Sequence, residues 1–202
     1  MSDSDSNTVD IKRRRMLIAG TSVVGLAGTA AFAAPLLISW MPSARALNAG
    51  APAEANIGKM EEGQKINIIW QGKPVWLIRR SEKMIADLPS NDARLVDPAS
   101  TKDLKQQPEY AKNPTRARKP EMLVLVGICT HLGCSPTYRP ELAPADLGAD
   151  WKGGFYCPCH GSRFDLAGRV FKNVPAPKNL EVPSHFYKSD EIIVIGLDGG
   201  AA

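Results

Sequence analysis

Two short stretches of the sequence hold the residues that could bind a metal. The first is Cys129-Thr-His-Leu-Gly-Cys134 and the second is Cys157-Pro-Cys-His-Gly-Ser162. Together they contain all 4 cysteines and two of the 3 histidines of a chain of 202 residues. Each stretch offers a cysteine and a histidine at short spacing, together with one further cysteine. Because thiolates and imidazoles are ligands of transition metals, the two stretches predict one metal centre that is held from two sides.

Two kinds of centre compete for this pattern. Two cysteines and two histidines could bind a structural zinc ion in tetrahedral geometry. However, six candidate ligands are too many for one zinc, and each stretch mixes cysteine with histidine, whereas zinc fingers usually have a cysteine pair followed by a histidine pair. The mixed stretches favour a two-iron cluster with unlike ends, two thiolates on one iron and two imidazoles on the other. The zinc alternative would make the protein a membrane-tethered binding module without redox activity.

The N-terminal part of the chain predicts a membrane anchor. Residues 16–41 are 26 positions without a charged side chain, and they show no polar face at helical spacing. About 20 apolar residues are enough to cross the hydrocarbon core of a bilayer. The basic run Lys12–Arg15 precedes this span. It predicts a single-pass protein with residues 1–15 in the cytoplasm and everything after residue 41 on the outer face.

Two features next to the span bear on export. Arg13-Arg-Arg-Met-Leu17 is similar to a twin-arginine signal, and Ala44-Arg-Ala46 is similar to a signal-peptidase site. A cleaved signal has an apolar core of only about 7–15 residues, so the longer span here favours an uncleaved anchor. Residues 42–56 are small and weakly patterned, which predicts a flexible hinge between the anchor and a head.

Residues 57–202 predict an all-β head. Runs rich in β-branched and aromatic residues alternate with Gly and Pro turns, and the predicted strands are 65–70, 74–79, 122–128 and 191–195. Ser81 begins a stretch with helical spacing and opens a polar excursion over 81–120, with one further helical turn expected near 101–107. The head carries 20 basic and 17 acidic residues, a balance that argues against binding of nucleic acid.

Taken together, the two stretches resemble the motifs of the Rieske iron–sulfur subunit of ubiquinol–cytochrome c reductase, the respiratory cytochrome bc complex. The resemblance covers nearly the whole chain, from the export-type anchor and Ala-rich hinge to Pro175-Ala-Pro177. It implies an all-β Rieske-type head of antiparallel sheets behind one N-terminal transmembrane helix. Within the head it implies a short helix–loop insertion and a small cluster-binding subdomain at about 127–177. The implied cofactor is one 2Fe-2S cluster.

The resemblance also implies roles for individual residues. The iron ligands would be two cysteines on one iron and two histidines on the other: Cys129, Cys157, His131 and His160. Cys134 would pair with Cys159, and an oxidising compartment outside the membrane favours that disulfide over two free thiols. His160 would be the histidine that hydrogen-bonds the quinol and accepts its proton.

Four further residues match family positions around the cluster. Ser162 matches a serine whose hydroxyl donates to a cluster sulfur. Leu132 matches a leucine that packs beside the cluster, and Pro175 lies in a loop that covers the cluster. Phe164 stands where the family often has a tyrosine that hydrogen-bonds a ligand sulfur. Because phenylalanine cannot donate, we expect a lower reduction potential than in relatives that carry the tyrosine.

The function implied is that of a membrane-anchored subunit in the inner membrane of a bacterium, with its head in the periplasm. It would take one electron and a proton from ubiquinol and pass the electron to a c-type cytochrome. Its partners would be the cytochrome b and c-type cytochrome subunits of a dimeric, proton-translocating complex. The small subunit of arsenite oxidase is the closest rival, and a ring-hydroxylating oxygenase or its ferredoxin is disfavoured because neither needs the anchor or the extra cysteine pair. His185 has no cysteine nearby and is expected to be a strand residue, not a ligand.

Overall fold

A computed structural model describes residues 10–43, 46, 50–103 and 105–199. The chain forms two compact units, divided between Leu47 and Asn48. The first unit contains the predicted anchor and the second contains the predicted head.

The first unit is one long helix, α1, at Ile11–Ser39. The helix begins before the predicted span, so it includes the basic run of the twin-arginine-like motif. Its first turn is capped by Asp10, whose side chain accepts hydrogen bonds from the backbone N–H groups of Lys12 and Arg13. Among the described residues, α1 is the one helix long and apolar enough to cross a membrane. Ala44 and Arg45 of the suggested cleavage site lie outside the described residues.

Three antiparallel sheets of three strands each form the second unit. The strands are β1 Ala53–Asn56, β2 Lys65–Trp70, β3 Lys73–Arg79, β4 Met122–Val126, β5 Thr137–Arg139, β6 Gly154–Tyr156, β7 Arg163–Asp165, β8 His185–Ser189 and β9 Ile192–Ile195. The sheet orders are β1-β9-β8, β2-β3-β4 and β5-β6-β7. The expectation of an all-β head is confirmed.

The central sheet, β2-β3-β4, has a hydrophobic core on each of its faces. Alternate side chains of β3 and β4, such as Trp76 and Leu125, pack with β6 and β7 on one face. The intervening side chains, such as Leu77 and Val124, pack with β1 and β9 on the other face. All five residues of β4 are buried, which explains why its sequence is a continuous apolar run and not an alternating one.

Strands β2 and β3 form a hairpin. Trp70 pairs with Lys73, so the connection is the two residues Gln71 and Gly72, which have φ angles of 51° and 72°. Positive φ at both central positions is the geometry of the tight turns that suit the twist of paired strands.

The C-terminal bound of the predicted hinge needs correction. Ala53–Asn56 form strand β1, which pairs with β9 from Ala53↔Ile195 to Asn56↔Ile192. The sequence Ala-Glu-Ala-Asn has little β propensity of its own, so this strand exists because β9 offers it a partner edge. The linker therefore ends before Ala53.

The excursion over 81–120 contains little regular structure. Ser81 caps a short helix, α2, at Glu82–Ala86. A 3₁₀ helix at Leu88–Arg94 follows, and a second 3₁₀ turn lies at Glu109–Ala111. The turn expected near 101–107 was thus placed too early, since the described residues of that stretch are not helical.

Candidate metal centre

Two loops with the same backbone pattern carry the six candidate ligands. We name Cys129–Cys134 the first loop and Cys157–Ser162 the second loop. In the first loop the N–H of Cys129 donates to the carbonyl of Cys134 at 2.7 Å, and the N–H of Gly133 donates back to Cys129 at 3.0 Å. The second loop repeats both bonds: Cys157 donates to Ser162 at 2.8 Å, and Gly161 donates to Cys157 at 2.9 Å. Each loop thereby folds its cysteine inward in the same way.

Each loop follows or joins strands of the head. Two residues, Gly127 and Ile128, separate β4 from the first loop. The second loop connects β6 to β7. A side chain at Gly127 would collide with the indole of Trp76, so glycine is required where β4 enters the first loop. Gly133 and Gly161 have φ angles of 84° and 74°, a region that favours glycine and allows each loop to reverse.

The four predicted iron ligands differ in how deeply they are buried. Cys129 and Cys157 are free thiols that are only 3% and 2% exposed. The imidazoles lie at the surface: His131 is half-buried and His160 is exposed. The two rings pack edge to face, with their centroids 4.8 Å apart and their planes at 87°. The structure therefore brings together a buried thiol pair and a surface imidazole pair.

The remaining two cysteines are bonded to each other. Cys134 and Cys159 form a disulfide that links the first loop to the second loop across a separation of 25 residues. The Sγ atoms of Cys134, Cys157 and Cys159 lie within 4.8 Å of one another. Since two of these sulfurs are in the disulfide, only Cys157 of this group can offer a thiolate to a metal.

A third loop, Val174–Lys178, is hydrogen-bonded to both ligand loops. The N–H of Ala176 donates to Oγ of Ser162 at 3.0 Å, and Oγ1 of Thr130 donates to the carbonyl of Lys178 at 2.6 Å. Pro175 lies in this loop and is exposed. The role of Thr130 was missed from the sequence, because a lone threonine beside a ligand carries no signal of a contact 48 residues away.

Ser162 is placed to donate toward the thiols. It is fully buried, and its oxygen already accepts the Ala176 N–H, which leaves the hydroxyl hydrogen for another partner. Burial raises the pKa of the Cys129 thiol, while the hydrogen bonds from the His131 backbone and from the Ser162 hydroxyl act in the opposite direction. The effect of Ser162 on the pKa of Cys129 is in the direction that favours a negatively charged sulfur.

Two other predicted site residues, Phe164 and Leu132, and the third histidine, His185, occupy different environments. Phe164 is fully buried in the core cluster that contains Cys129 and Cys157. Leu132 is 72% exposed, so only a minor part of its side chain can pack against anything within the head. His185 is a buried residue of β8, as expected, and its Nδ1 lies 2.8 Å from the carbonyl of Pro183.

The sequence analysis did not predict that four charged groups are buried in the head. Three arginines and one aspartate are at most 1% exposed: Arg80, Arg116, Arg169 and Asp165. Arg169 forms a salt bridge of 2.7 Å with Asp165, and burial lowers the pKa of Arg116 to about 10. Arg116 donates to the carbonyls of Ala167 and Leu180. The three arginines donate to backbone carbonyls of irregular segments, whereas Asp165 accepts from the backbone N–H groups of Ala167 and Arg169.

The donor set fits a 2Fe-2S cluster with unlike ends. Its two free thiols are buried and its two imidazoles lie together at the surface, so one iron would be bound inside the head and the other at its tip. Two cysteines and two histidines are also a donor set that can bind a single tetrahedral zinc.

Comparison with known proteins identifies the family. Residues 98–185 match the family described as Rieske [2Fe-2S] domain. The ubiquinol-cytochrome c reductase iron-sulfur subunit of Allochromatium vinosum is 61% identical over 194 residues, which cover 96% of this chain and 93% of that one. The subunit of the same name from Rhodospirillum rubrum is 41% identical over 184 residues, 91% of each chain.

Among solved structures, a chain of "Hyperthermophilic respiratory Complex III" aligns with a TM-score of 0.48 at 23% identity, over 87% of this chain and 97% of that one. The family assignment depends on the sequence relatives, two of which are similar over more than nine-tenths of both chains. The chain therefore belongs to the family of iron–sulfur subunits of ubiquinol–cytochrome c reductase, which carry a Rieske domain.

Proposed function

We propose that this chain is the subunit through which a cytochrome bc complex takes one electron and one proton from ubiquinol and delivers the electron to a c-type cytochrome. The observation that carries the proposal is the pairing of two equivalent loops, which present two buried thiols and two adjacent imidazoles. Relatives named as subunits of this reductase support it.

In this proposal Cys129 and Cys157 bind one iron, and His131 and His160 bind the other. When bound, the cluster supplies one-electron redox chemistry at a raised potential, because neutral imidazoles replace two negatively charged thiolates. Buried thiols and the disulfide between the loops limit the access of water to the sulfur end. The Ser162 hydroxyl favours added negative charge at that end.

His160 is the residue proposed to contact the quinol. Its ring is exposed at the tip of the head, whereas His131 is half-buried. An imidazole nitrogen that does not bind metal can accept a hydrogen bond from a quinol hydroxyl and then take its proton. The greater exposure of His160 supports the proposal that the second loop contacts the substrate.

The proposed location is the inner membrane of a bacterium, with α1 as the single span. The basic run at the start of α1 favours a cytoplasmic N-terminus and hence a periplasmic head. The disulfide between Cys134 and Cys159 supports this orientation, because disulfides persist in oxidising compartments. The proposed partners are cytochrome b, a c-type cytochrome and the lipid bilayer, in a dimeric complex.

EPR spectroscopy of membranes that contain the full chain tests the proposal. Reduction with dithionite should give a rhombic signal whose average g value lies below that of the free electron. His160→Ala should abolish the signal, whereas His185→Gln, a change in the one histidine outside the two loops, should retain it. A colourless protein without any EPR signal would instead support the zinc-bound tethered module. Co-purification of b- and c-type cytochromes tests the assignment to the bc complex.

A further inference from the structure

A surface cleft of about 550 Å³ lies directly beside the exposed histidine of the second loop. Gly161, the residue after His160, forms part of its wall. Three basic side chains also line it: Arg94, Arg163 and Lys172. The lining contains no aspartate or glutamate. The cleft is therefore a concentration of positive charge at the tip of the head.

Acidic neighbours neutralise this charge only weakly. Arg163 has one long contact, 3.5 Å from Nη1 to the carbonyl of Leu147, and forms no salt bridge within the described part of the chain. Lys172 donates from Nζ to the carbonyl of Ala93 at 2.8 Å, a neutral acceptor that leaves its charge uncompensated. Arg94 has one acidic neighbour, at 3.9 Å, the 91% exposed side chain of Asp150.

The backbone around the three basic residues is well ordered by hydrogen bonds. The N–H of Lys172 donates to the carbonyl of Arg94 at 2.8 Å, and the N–H of Phe171 donates to the carbonyl of Arg163 at 3.1 Å. The guanidinium of Arg94 also lies over the ring of Phe171, 5.4 Å from its centroid. The three charges come from distant parts of the sequence but are held on one preorganised surface, which lowers the cost of binding an anionic partner.

We propose that this cleft binds carboxylate groups on the surface of the protein that accepts the electron from the head. The inference rests on the proposed function, because it is electron delivery that requires a partner to approach His160. A protein that covers the His160 ring must also cover the adjoining cleft. Carboxylates on such a protein would complement Arg94, Arg163 and Lys172, and complementary charge at the rim of a contact mainly accelerates docking.

Salt-dependent kinetics in the intact complex test this proposal. The rate of c-type haem reduction after addition of quinol is measured by stopped flow at low and high ionic strength. For the wild type we expect the rate to fall as salt screens the contact. Lys172→Glu should slow reduction about fivefold at low salt and flatten the salt dependence, in line with the effect of rim charges on association. Lys188→Glu is the matched control, because Lys188 is an exposed lysine on β8 outside the cleft lining. This variant should change the rate less than about twofold.

Zero-length cross-linking with a carbodiimide gives an independent measurement. The reagent joins a lysine amine to a carboxylate, so a partner carboxylate in the cleft should yield an amide to Lys172, identified by mass spectrometry. Lys172→Arg keeps the charge but cannot form the amide. It should therefore lose the cross-link while it retains the wild-type rate and salt dependence.

The outcomes separate this inference from the proposed function. If the wild-type complex shows the rhombic EPR signal and reduces the c-type haem, but Lys172→Glu behaves like Lys188→Glu, the cleft inference is overturned and the proposed function stands. If the effect of Lys172→Glu appears only in vesicles that contain anionic lipid, the cleft binds headgroups and the inference is again overturned. Absence of haem reduction in a complex with an intact signal would overturn the proposed function itself.

Discussion

Phe164 and Ser162 are the two residues that we expect to influence how well the centre tolerates added electron density. Ser162 supplies a hydroxyl, whereas Phe164 fills a buried position without a donor. A hydrogen bond to a charged acceptor contributes about 1.5–3 kcal/mol. About 1.4 kcal/mol corresponds to about 59 mV for a one-electron couple, so a single donor can shift the potential measurably.

Phe164→Tyr should raise the reduction potential by several tens of millivolts. The ring of Phe164 is packed in the same core cluster as Cys129 and Cys157, and a hydroxyl added there would be buried and in need of an acceptor. A thiolate sulfur that gains charge on reduction is the favourable acceptor. Redox titration followed by EPR measures the shift, and Ser162→Ala, which removes a donor, should lower the potential in the same assay. An unchanged potential in the tyrosine variant would mean that its hydroxyl does not reach a sulfur.

His185 should make the head less stable as the pH falls. Burial lowers its pKa to about 4, although the carbonyl of Pro183 acts in the opposite direction. The unfolded chain has an ordinary histidine pKa of about 6.5, so the unfolded state binds more protons between these two values. The contribution of neutral His185 is therefore complete above pH 6.5 and is lost as the pH falls toward 4.

Denaturant unfolding between pH 5 and pH 7.5 measures this effect above the range in which most carboxylates titrate. Over the 1.5 pH units below 6.5, the loss should be about 2 kcal/mol of the free energy of unfolding. His185→Phe should remove this part of the pH dependence, whatever its effect on stability at neutral pH. Equal slopes in the two proteins would show that His185 is not held neutral by the fold.

The two ligand loops are the elements that define the centre, and the disulfide is the covalent link between them. Cys134→Ser together with Cys159→Ser removes this link. In the chain-entropy account, closing a loop of about 25 residues stabilises the folded state by roughly 3 kcal/mol. We expect the double variant to lower the free energy of unfolding by about this amount and to lose cluster from membranes, since Cys157 lies against the disulfide sulfurs.

Parallel measurements of thermal unfolding and EPR signal amplitude test the double variant. The control is Ser81→Ala, which removes a helix cap outside the ligand loops and should cost about 1 kcal/mol without loss of the signal. A double variant with wild-type stability and a full signal would contradict a structural role for the disulfide.

At the scale of elements, the sequence predicts those structures whose signal is local. The two loops, the β2–β3 hairpin and the apolar run of β4 each have a recognisable pattern within a few residues. β1 could not be predicted, because Ala53–Asn56 form a strand only through their pairing with β9. Arg116 could not be predicted as buried either, since its burial depends on distant carbonyls such as that of Leu180 that it satisfies.

The contacts of the third loop, at the site itself, could not be predicted from the sequence either. Pro175 was expected near the cluster from the family pattern alone, while the contacts that hold its loop are a backbone N–H at Ala176 and a hydroxyl at Thr130. Neither residue type predicts such a contact, because any threonine or backbone group can make one. The ligand residues can be recognised from the sequence, whereas the groups that orient them can be identified only from the structure.

At the scale of the whole molecule, the chain is an anchor unit and a head unit joined by the residues before β1. The proposed function requires the head to reach two sites, one for quinol and one for the c-type cytochrome. The predicted hinge would allow such movement in this proposal, because weakly patterned segments of small residues bury too little surface to fix one conformation. Because Ala53 begins β1, the segment that could serve as the hinge is shorter than the sequence predicted.

Changing the stiffness of the linker should therefore alter electron delivery without altering the centre. Replacing residues 48–52, Asn-Ala-Gly-Ala-Pro, by five prolines would favour an extended, semi-rigid spacer, whereas five alternating glycines and serines would keep it flexible. We expect the proline variant to show the wild-type EPR signal and potential but at least about tenfold slower reduction of the c-type haem. The glycine–serine variant should retain the rate, and since both variants leave β1 unchanged, any difference between them reports on the linker. Equal rates in the two variants would mean that the head delivers its electron without moving on this segment.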